Sequence, residues 1–168
     1  MATAKTPRKK KAADEAQPPT RVLRRFRLVF NAIKAHFRSV ERKAGISGAQ
    51  VWALSVVRDQ PGIGVGELAR AMDVHQSTAS NLLRALIDAE LVVSDRGAAD
   101  RRSVQLSITP KGVRILKKAP GPFTGLLPDA LQRLDTATLA RLERDLGKLI
   151  DELGIDEKGA SIPLGSGE

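Results

Sequence analysis

One segment of the chain carries hydrogen-bonding side chains at a helical spacing. Four polar residues recur there at steps of three or four positions and would share one face of an α-helix: Ser77, Ser80, Asn81 and Arg84. A second face carries Ala79, Leu82, Leu83 and Leu86. Hydroxyl and amide groups bond to base edges or phosphates, and a guanidinium group suits a phosphate. Most surface helices have a polar stripe, so the neighbouring elements must decide its meaning.

Those neighbours predict a helix-turn-helix followed by a β-hairpin. A short helix over about 65–72 and a tight turn at Asp73-Val74 precede a helix over about 76–89. Two short β-branched runs follow, at 91–94 and 103–108. The second helix of a helix-turn-helix lies in the major groove of DNA, with its first turns at the base edges. The candidate contacts of the helix are Gln76, Ser77, Thr78, Ser80, Asn81 and Arg84.

The loop between the two predicted strands carries three arginines, Arg96, Arg101 and Arg102. Side chains of this kind enter the electronegative minor groove or bind phosphates. Asp100 would oppose DNA if it pointed outward, so we expect it to accept hydrogen bonds from the loop backbone or from Arg102 and to hold the loop in shape.

Apolar residues at three- and four-residue steps predict further helices on both sides of this unit. An amphipathic helix covers about 20–44, and a second begins after the N-cap Ser47 and ends before Pro61-Gly62. Beyond the hairpin, Thr109-Pro110 starts another helix, which Pro120-Gly121-Pro122 interrupts. A helical piece over about 126–134 and a last helix after Asp135 complete a fold that is mainly α with a small β-hairpin wing.

The ends of the chain lack an apolar period. We expect a disordered basic tail over 1–19 and a flexible tail over 155–168, on either side of one domain over 20–154. The excess of basic residues, 28 against 19 acidic ones, is concentrated near the start, because 21–44 holds eight basic residues and one acidic residue. Such a charge favours a polyanionic partner, most economically nucleic acid.

Several classes of function are disfavoured by composition. There is no cysteine, so disulfides, thiolate metal sites and cysteine nucleophiles are absent, and two histidines do not make a multi-histidine metal centre. The glycine-rich segment 62–66 follows a predicted helix, whereas a dinucleotide loop follows a buried strand. We expect neither enzymatic activity nor a cofactor, and neither a membrane span nor a signal peptide, which indicates a cytoplasmic location.

Two stretches carry a family resemblance. GELARAMDVHQSTASNLLRALIDAELV (66–92) and DRRSVQLSITPKG (100–112) are similar to the MarR family of bacterial winged-helix transcription regulators, and the resemblance extends over about 20–153. It implies a winged helix-turn-helix over about 46–112, with bases and phosphates contacted by 76–81. It also implies that Arg102 enters the minor groove, that Asp100 positions it and that Arg101 contacts a phosphate.

The family forms homodimers through its terminal helices, here 20–44 and 113–153, which offer more apolar surface than a small winged helix alone can bury. It also suggests a pocket for a small aromatic or anionic effector, for which the candidates are Phe26, Phe30, Phe37 and Trp52. At helical spacing the same aromatic residues are equally compatible with plain core.

Three positions depart from the family pattern. Gly64 replaces the usual Ser or Thr cap, Asp73 stands where the turn commonly has Gly, and Pro120-Gly121-Pro122 breaks a helix that is often continuous. The predicted function is a sequence-specific regulator, acting as a homodimeric repressor on a pseudo-palindromic operator in double-stranded DNA. The alternative is a non-specific architectural DNA-binding protein that relies on the basic tail and first helix.

Overall fold

The computed structural model describes residues 17–96 and 104–164. In that part of the chain seven α-helices and one antiparallel hairpin follow one another: α1 Pro18–Ala44, α2 Gly48–Asp59, α3 Val65–Ala71, α4 Gln76–Asp88, β1 Val92–Arg96, β2 Val104–Ile108, α5 Pro110–Lys118, α6 Leu126–Gln132 and α7 Thr136–Leu153. A 3₁₀ helix, Glu157–Ser161, comes last. The mainly helical fold with a small hairpin is thereby confirmed.

Helix ends coincide with local capping signals in the sequence. The Ser47 hydroxyl accepts from the N–H of Gln50, whose side chain accepts from the N–H of Ser47, which forms a capping box at the start of α2. The Asp135 carboxylate accepts from the N–H and hydroxyl of Thr138 at the start of α7, and these bonds lower the pKa of Asp135. Gly45 ends α1 in the left-handed conformation with φ 74°.

The turn between α3 and α4 is tight because Asp73 adopts φ 52°. Asp tolerates this left-handed conformation better than most residues, so the departure from Gly does not prevent the turn. Gly64 has no side chain with which to cap α3, but its N–H donates to Glu67 Oε2 at 2.9 Å at the start of this helix. The helix-turn-helix therefore forms with the residues that this chain supplies.

The hairpin is joined to the segment that precedes α3. β1 and β2 pair in register from Val92–Ile108 to Arg96–Val104. On the other side of β2, the N–H of Gly62 donates to Leu106 O and the N–H of Leu106 donates to Ile63 O. The glycine-rich segment thus borders the hairpin, as expected for a turn and a short extended stretch rather than a phosphate loop.

The core lies where α2, α3, α4, α5 and the hairpin meet. It is built from aliphatic side chains, and the largest that are fully buried include Leu54, Leu68, Met72, Leu86 and Leu106. The second half of α1 closes one side of this core through Val40 and Ala44. The scarcity of aromatic residues is reflected in this aliphatic interior.

Several boundaries differ from the expectation. Helix α1 includes Pro18 and Pro19, which lie within the predicted tail 1–19, because proline is well suited to a first helical turn. The 3₁₀ helix lies in the stretch 155–168, where no regular structure was expected, and the nearby Pro163 is buried. Residues 1–16, 97–103 and 165–168, with the basic tail and the loop residues Asp100, Arg101 and Arg102, lie outside the described residues.

Across 17–96 and 104–164, no helix has the length and apolar character required to cross a bilayer.

Gly112, in the first turn of α5, lies where this helix packs closely against the hairpin, and a substitution there tests that packing. A Cβ atom there would lie 2.4 Å from Leu91 O and 2.8 Å from Ile108 Cγ1. We expect Gly112→Ala to lower the free energy of unfolding by about 1–3 kcal/mol, because the hairpin must shift to admit the methyl group. Urea denaturation measures this loss. Gly66→Ala is the matched control, because a Cβ there meets nothing within 4 Å and the helix propensity of alanine should make the change neutral or stabilising.

Candidate nucleic-acid interface

Helix α4 presents its polar side chains outward. Gln76, Ser77, Asn81 and Arg84 are exposed, while Thr78 and Ser80 are half-buried. The Ser80 hydroxyl donates to the carbonyl of Gln76 at 2.8 Å, so its lone pairs remain available to an external donor. The structure therefore brings the six helix residues named from the sequence together on one accessible surface.

The opposite face of α4 fixes this orientation. Ala79, Leu83 and Leu86 are buried in the core with Leu68 and Met72. Leu82, expected on the same inward stripe, is only partly buried and packs at the edge of the core. Because an aliphatic core holds one face, a rotation that hid the polar face would expose several leucine side chains.

The first turn of α4 is open to an anion. His75 is the N-cap but its side chain makes no capping hydrogen bond, and the turn contains no acidic residue. The positive end of the helix dipole and the N–H groups of the first turn favour a phosphate there. The His75 imidazole therefore does not cap the helix.

The base of the hairpin is fastened to α5. The Thr109 hydroxyl donates to Glu90 O at 2.8 Å and accepts from the N–H of Gly112 at 3.0 Å. Glu90 adopts φ 60° and pairs with Lys111 Nζ at 3.2 Å. The sequence identified Thr109 only as a helix cap; its link to Glu90 was missed, because the two residues are 19 positions apart.

The hairpin loop contributes less to the described site. Arg96 closes β1 opposite Val104, two residues beyond the strand end expected from sequence. Asp100, Arg101 and Arg102 lie in the interval 97–103 outside the described residues, so their roles stay predictions. What the structure does show is that the hairpin follows α4 directly, since the N–H of Leu91 donates to Leu86 O at 2.8 Å.

The four aromatic candidates for an effector pocket do not form one cluster. Phe26 and Phe30 stack on each other with ring centroids 6.1 Å apart, and Phe30 is 54% exposed. Phe37 covers Gly48, where an added Cβ would lie 2.6 Å from the ring. Trp52 packs against the core from α2. The structure thus separates the stacked pair of half-buried Phe26 and exposed Phe30 from two residues engaged in packing.

Two helices leave apolar stripes uncovered. In the first half of α1 the exposed apolar residues are Val22, Leu23, Leu28, Val29 and Phe30; in α7 they are Leu142, Leu146, Leu149, Ile150 and Leu153. No residue of α7 is buried. Such stripes are characteristic of surfaces covered by another protein.

Among the described residues, no group of three or more His, Asp or Glu side chains is placed to hold a metal ion. The residues available to this surface are instead hydrogen-bond donors, acceptors and cations on a helix that a rigid core orients outward. Groups of these types contact phosphates and base edges in protein–DNA complexes.

Comparisons with known proteins agree with this geometry. The MarR family model matches residues 44–103. A candidate transcriptional regulatory protein for the hcr operon of Thauera aromatica is 30% identical over 120 residues, which cover 71% of this chain and 68% of that protein. A helix-turn-helix transcriptional repressor of Mycobacterium tuberculosis is 26% identical over 116 residues, covering 67% and 78%.

Solved structures share the fold. A MepR-like protein complexed with pseudoligands superposes with a TM-score of 0.55 at 20% identity, covering 82% of this chain and 97% of that one. MepR of S. aureus in complex with DNA gives 0.53 at 19% identity, with coverage of 82% and 99%. The relatives are transcription regulators rather than enzymes. The chain belongs to the MarR family of winged helix-turn-helix, DNA-binding transcription regulators.

Proposed function

We propose that this regulator is a cytoplasmic homodimeric repressor that binds a pseudo-palindromic operator through α4. The observation that carries this proposal is the outward polar face of α4, with four exposed hydrogen-bonding or cationic residues opposite a buried aliphatic face. The repressor of M. tuberculosis supports the sign of regulation, and the MepR–DNA complex supports duplex DNA as the ligand of this fold. Two copies of α4 would address half-sites about one helical turn apart.

Within this proposal each side chain has a distinct task. Asn81 and Gln76 carry amides, which can bond two groups of one base edge, whereas the hydroxyls of Ser77, Thr78 and Ser80 reach single base or phosphate atoms. Arg84, two turns further along the helix, binds a phosphate and sets the register. In the hairpin loop, the adjacent minor groove or the DNA phosphates are contacted by Arg96, Arg101 and Arg102. Asp100 positions Arg102.

The second copy is supported by the uncovered stripes of α1 and α7. The exposed fraction of the apolar residues on α7 ranges from 38% at Leu149 to 61% at Leu153. Burial of such side chains stabilises an interface by roughly 25 cal/mol for each Å² removed from water. A second copy of the chain would carry its own α1 and α7 stripes. In a twofold dimer each uncovered stripe is then buried against the partner, and the assembly closes at two copies.

The charges that border the two stripes are complementary. Arg25 and Arg27 border the stripe of α1, three positions from Val22 and Phe30 respectively. Glu143 and Glu152 border the stripe of α7, each three positions from a stripe leucine. Contact between α1 of one copy and α7 of the other brings opposite charges together, whereas contact between two α1 helices opposes like charges. The charge pattern therefore favours an interface between unlike helices.

Operator recognition is tested by Asn81→Ala, with Gln132→Ala on the exposed end of α6 as the control. We expect the variant at Asn81 to lose about 1–3 kcal/mol of discrimination between the native upstream region and a scrambled duplex, because an amide contact to a base edge is removed. Gel-shift titrations at several salt concentrations measure the affinity. Arg84→Ala should weaken both duplexes alike and lower the salt slope by about one.

The rival architectural function gives the opposite pattern. A non-specific binder would show no preference for the upstream region over scrambled DNA, and Asn81→Ala would change nothing. Either result would contradict the operator proposal.

Dimerisation is tested by Leu146→Asp, which places a charge in the centre of the α7 stripe. The dissociation constant of the dimer should rise by roughly a hundredfold or more, because a buried carboxylate without a partner is strongly unfavourable. Ala140→Asp puts the same side chain on the other face of α7 and should leave the dimer intact. Sedimentation equilibrium gives the constants, and circular dichroism confirms the helices. Equal dimerisation of both variants would refute the interface.

We further propose that a small aromatic anion binds near Phe26 and Phe30 and releases the operator. The helix that carries these rings also carries Arg24, Arg25 and Arg27, which favour an anion. Phe37 and Trp52, which pack elsewhere, are not part of this site.

Isothermal titration calorimetry with benzoate provides the test. Phe30→Ala should weaken benzoate binding about tenfold because the exposed ring is lost. Val93→Ala is the control, since Val93 is exposed on β1 and outside the four candidates. Unchanged affinity in Phe30→Ala, or the same loss in Val93→Ala, would rule out this site.

A further inference from the structure

The outer side of α1 carries a row of cations. An α-helix turns by about 100° per residue, so the side opposite the buried Ile33, Val40 and Ala44 holds, from residue 24 onward, five basic residues: Arg24, Arg27, Lys34, Arg38 and Arg42. All five are exposed. They extend over about 27 Å of helix axis at 1.5 Å per residue. These five residues are called the cationic face of α1 below.

The cationic face has no counter-ions on the protein itself. No carboxylate of residues 17–96 and 104–164 lies within ion-pair distance of any of its five members. The cations of α7 differ, because Arg144 and Lys148 lie 3.6 and 3.3 Å from the carboxylate of Asp145. The charge of α1 is therefore available to an external anion, whereas the charge of α7 is partly neutralised.

The cations of this face also repel one another. Lys34, Arg38 and Arg42 follow at steps of four residues, and like charges at this spacing destabilise a helix. Arg42 lies in the last turn, where the helix dipole favours a cation, but Lys34 and Arg38 lie too far from the end of α1 to gain from it. A bound polyanion would relieve the repulsion among these side chains.

The residues between the cations favour duplex DNA over other polyanions. From residue 31 to residue 42, the other side chains on this side of the helix are those of Asn31 and Ala35. They offer no aromatic ring on which an unpaired base would stack, and no large apolar group that would enter a bilayer. A duplex requires only cations, because its phosphates present about one negative charge per 1.7 Å of axis.

The cationic face is separate from the surface that carries the proposed operator contacts. Helix α1 packs chiefly on α2, α5 and α6, whereas α4 packs chiefly on α2, α3 and β1. The uncovered apolar stripe of α1 ends at Phe30, so Lys34, Arg38 and Arg42 also lie outside the proposed dimer interface. These three cations therefore have no role in either of the surfaces described above.

We propose that the cationic face of α1 is a second, sequence-independent binding surface, which holds a further segment of duplex DNA while α4 contacts the operator. The proposal rests on the proposed operator function and adds to it, whereas the architectural alternative has no preferred sequence. A dimer on its operator would carry one such face on each copy and would thereby bridge two segments of duplex.

A ternary titration tests the second contact. Full-length protein is first saturated with a short unlabelled duplex from the native upstream region, and a labelled scrambled duplex of about 20 base pairs is then added. Fluorescence anisotropy should give a dissociation constant between about 10⁻⁶ and 10⁻⁴ M at physiological salt, which is typical of non-specific binding.

A triple variant on α1 locates the surface. Lys34→Gln, Arg38→Gln and Arg42→Gln together should weaken the second duplex by at least about tenfold and lower the salt slope by about two to three, because each phosphate contact contributes about 0.9. Glutamine retains a high helix propensity, and circular dichroism confirms the fold. Arg24 and Arg27 are left unchanged, because they lie close to the proposed effector site and dimer interface.

The matched control removes three charges from α7, through Arg141→Gln, Arg144→Gln and Lys148→Gln, and should leave the second duplex bound. Neither triple variant should change the affinity for the upstream duplex alone by more than about twofold, because α4 is unaltered. Failure of the operator proposal would appear instead as equal affinity for native and scrambled duplexes, and the two triple variants can still be compared on scrambled DNA.

Several results would overturn the second surface. They are the absence of a second duplex at about 100 μM DNA, equal losses in the two triple variants, and an equal loss of affinity for the upstream duplex in the α1 variant. Binding of phosphatidylserine vesicles or single-stranded RNA in preference to the scrambled duplex, abolished in the α1 variant, would assign the face to another polyanion and would also refute the proposal.

Discussion

The close contact between the first turn of α5 and the junction of α4 with the hairpin governs how the DNA-binding elements are placed. Gly112 lies against the carbonyl of Leu91, and Thr109 bonds to the carbonyls of Glu90 and Leu91. Glu90 and Leu91 lie between the end of α4 at Asp88 and the start of β1 at Val92. A side chain at Gly112 or a lost hydroxyl at Thr109 would therefore disturb α4 and the strands beside it together. The orientation of the outward face of α4 is thus fixed by contacts at its junction with the hairpin and α5.

The apolar stripe of α1 is divided between a half that packs on the core and a half that is uncovered. Its second half, with Ile33, Val40 and Ala44, is buried within the chain, while its first half remains uncovered with Val22 and Phe30 exposed. A single helix thereby joins the DNA-binding unit to a surface that a second copy would cover. Because the helix is continuous from Pro18 to Ala44, the uncovered half and the half that packs on the core belong to one element.

Local signals made most of the fold predictable from the sequence. Ser47, Thr109 and Asp135 each begin a helix at the expected place, because a cap depends on residues within one turn of it. The outward face of α4 followed from helical periodicity alone. By contrast, the bond from Thr109 to Glu90 and the packing of Phe37 over Gly48 join distant positions, and no local pattern contains that information. The aromatic residues of α1 were treated as one set for the same reason, although the fold separates Phe30 from Phe37.

The interruption at 120–122 shows how a local break changes the chemistry available elsewhere. The sequence reveals that prolines end the helix, but it does not reveal which surface the chain then approaches. That approach brings Phe123 to Arg58, and the ring and Asp59 together restrict a side chain that would otherwise sample many rotamers. The departure from a continuous helix thus fixes the orientation of one cation at the end of α2, which α5 would not do if it simply continued past Lys118.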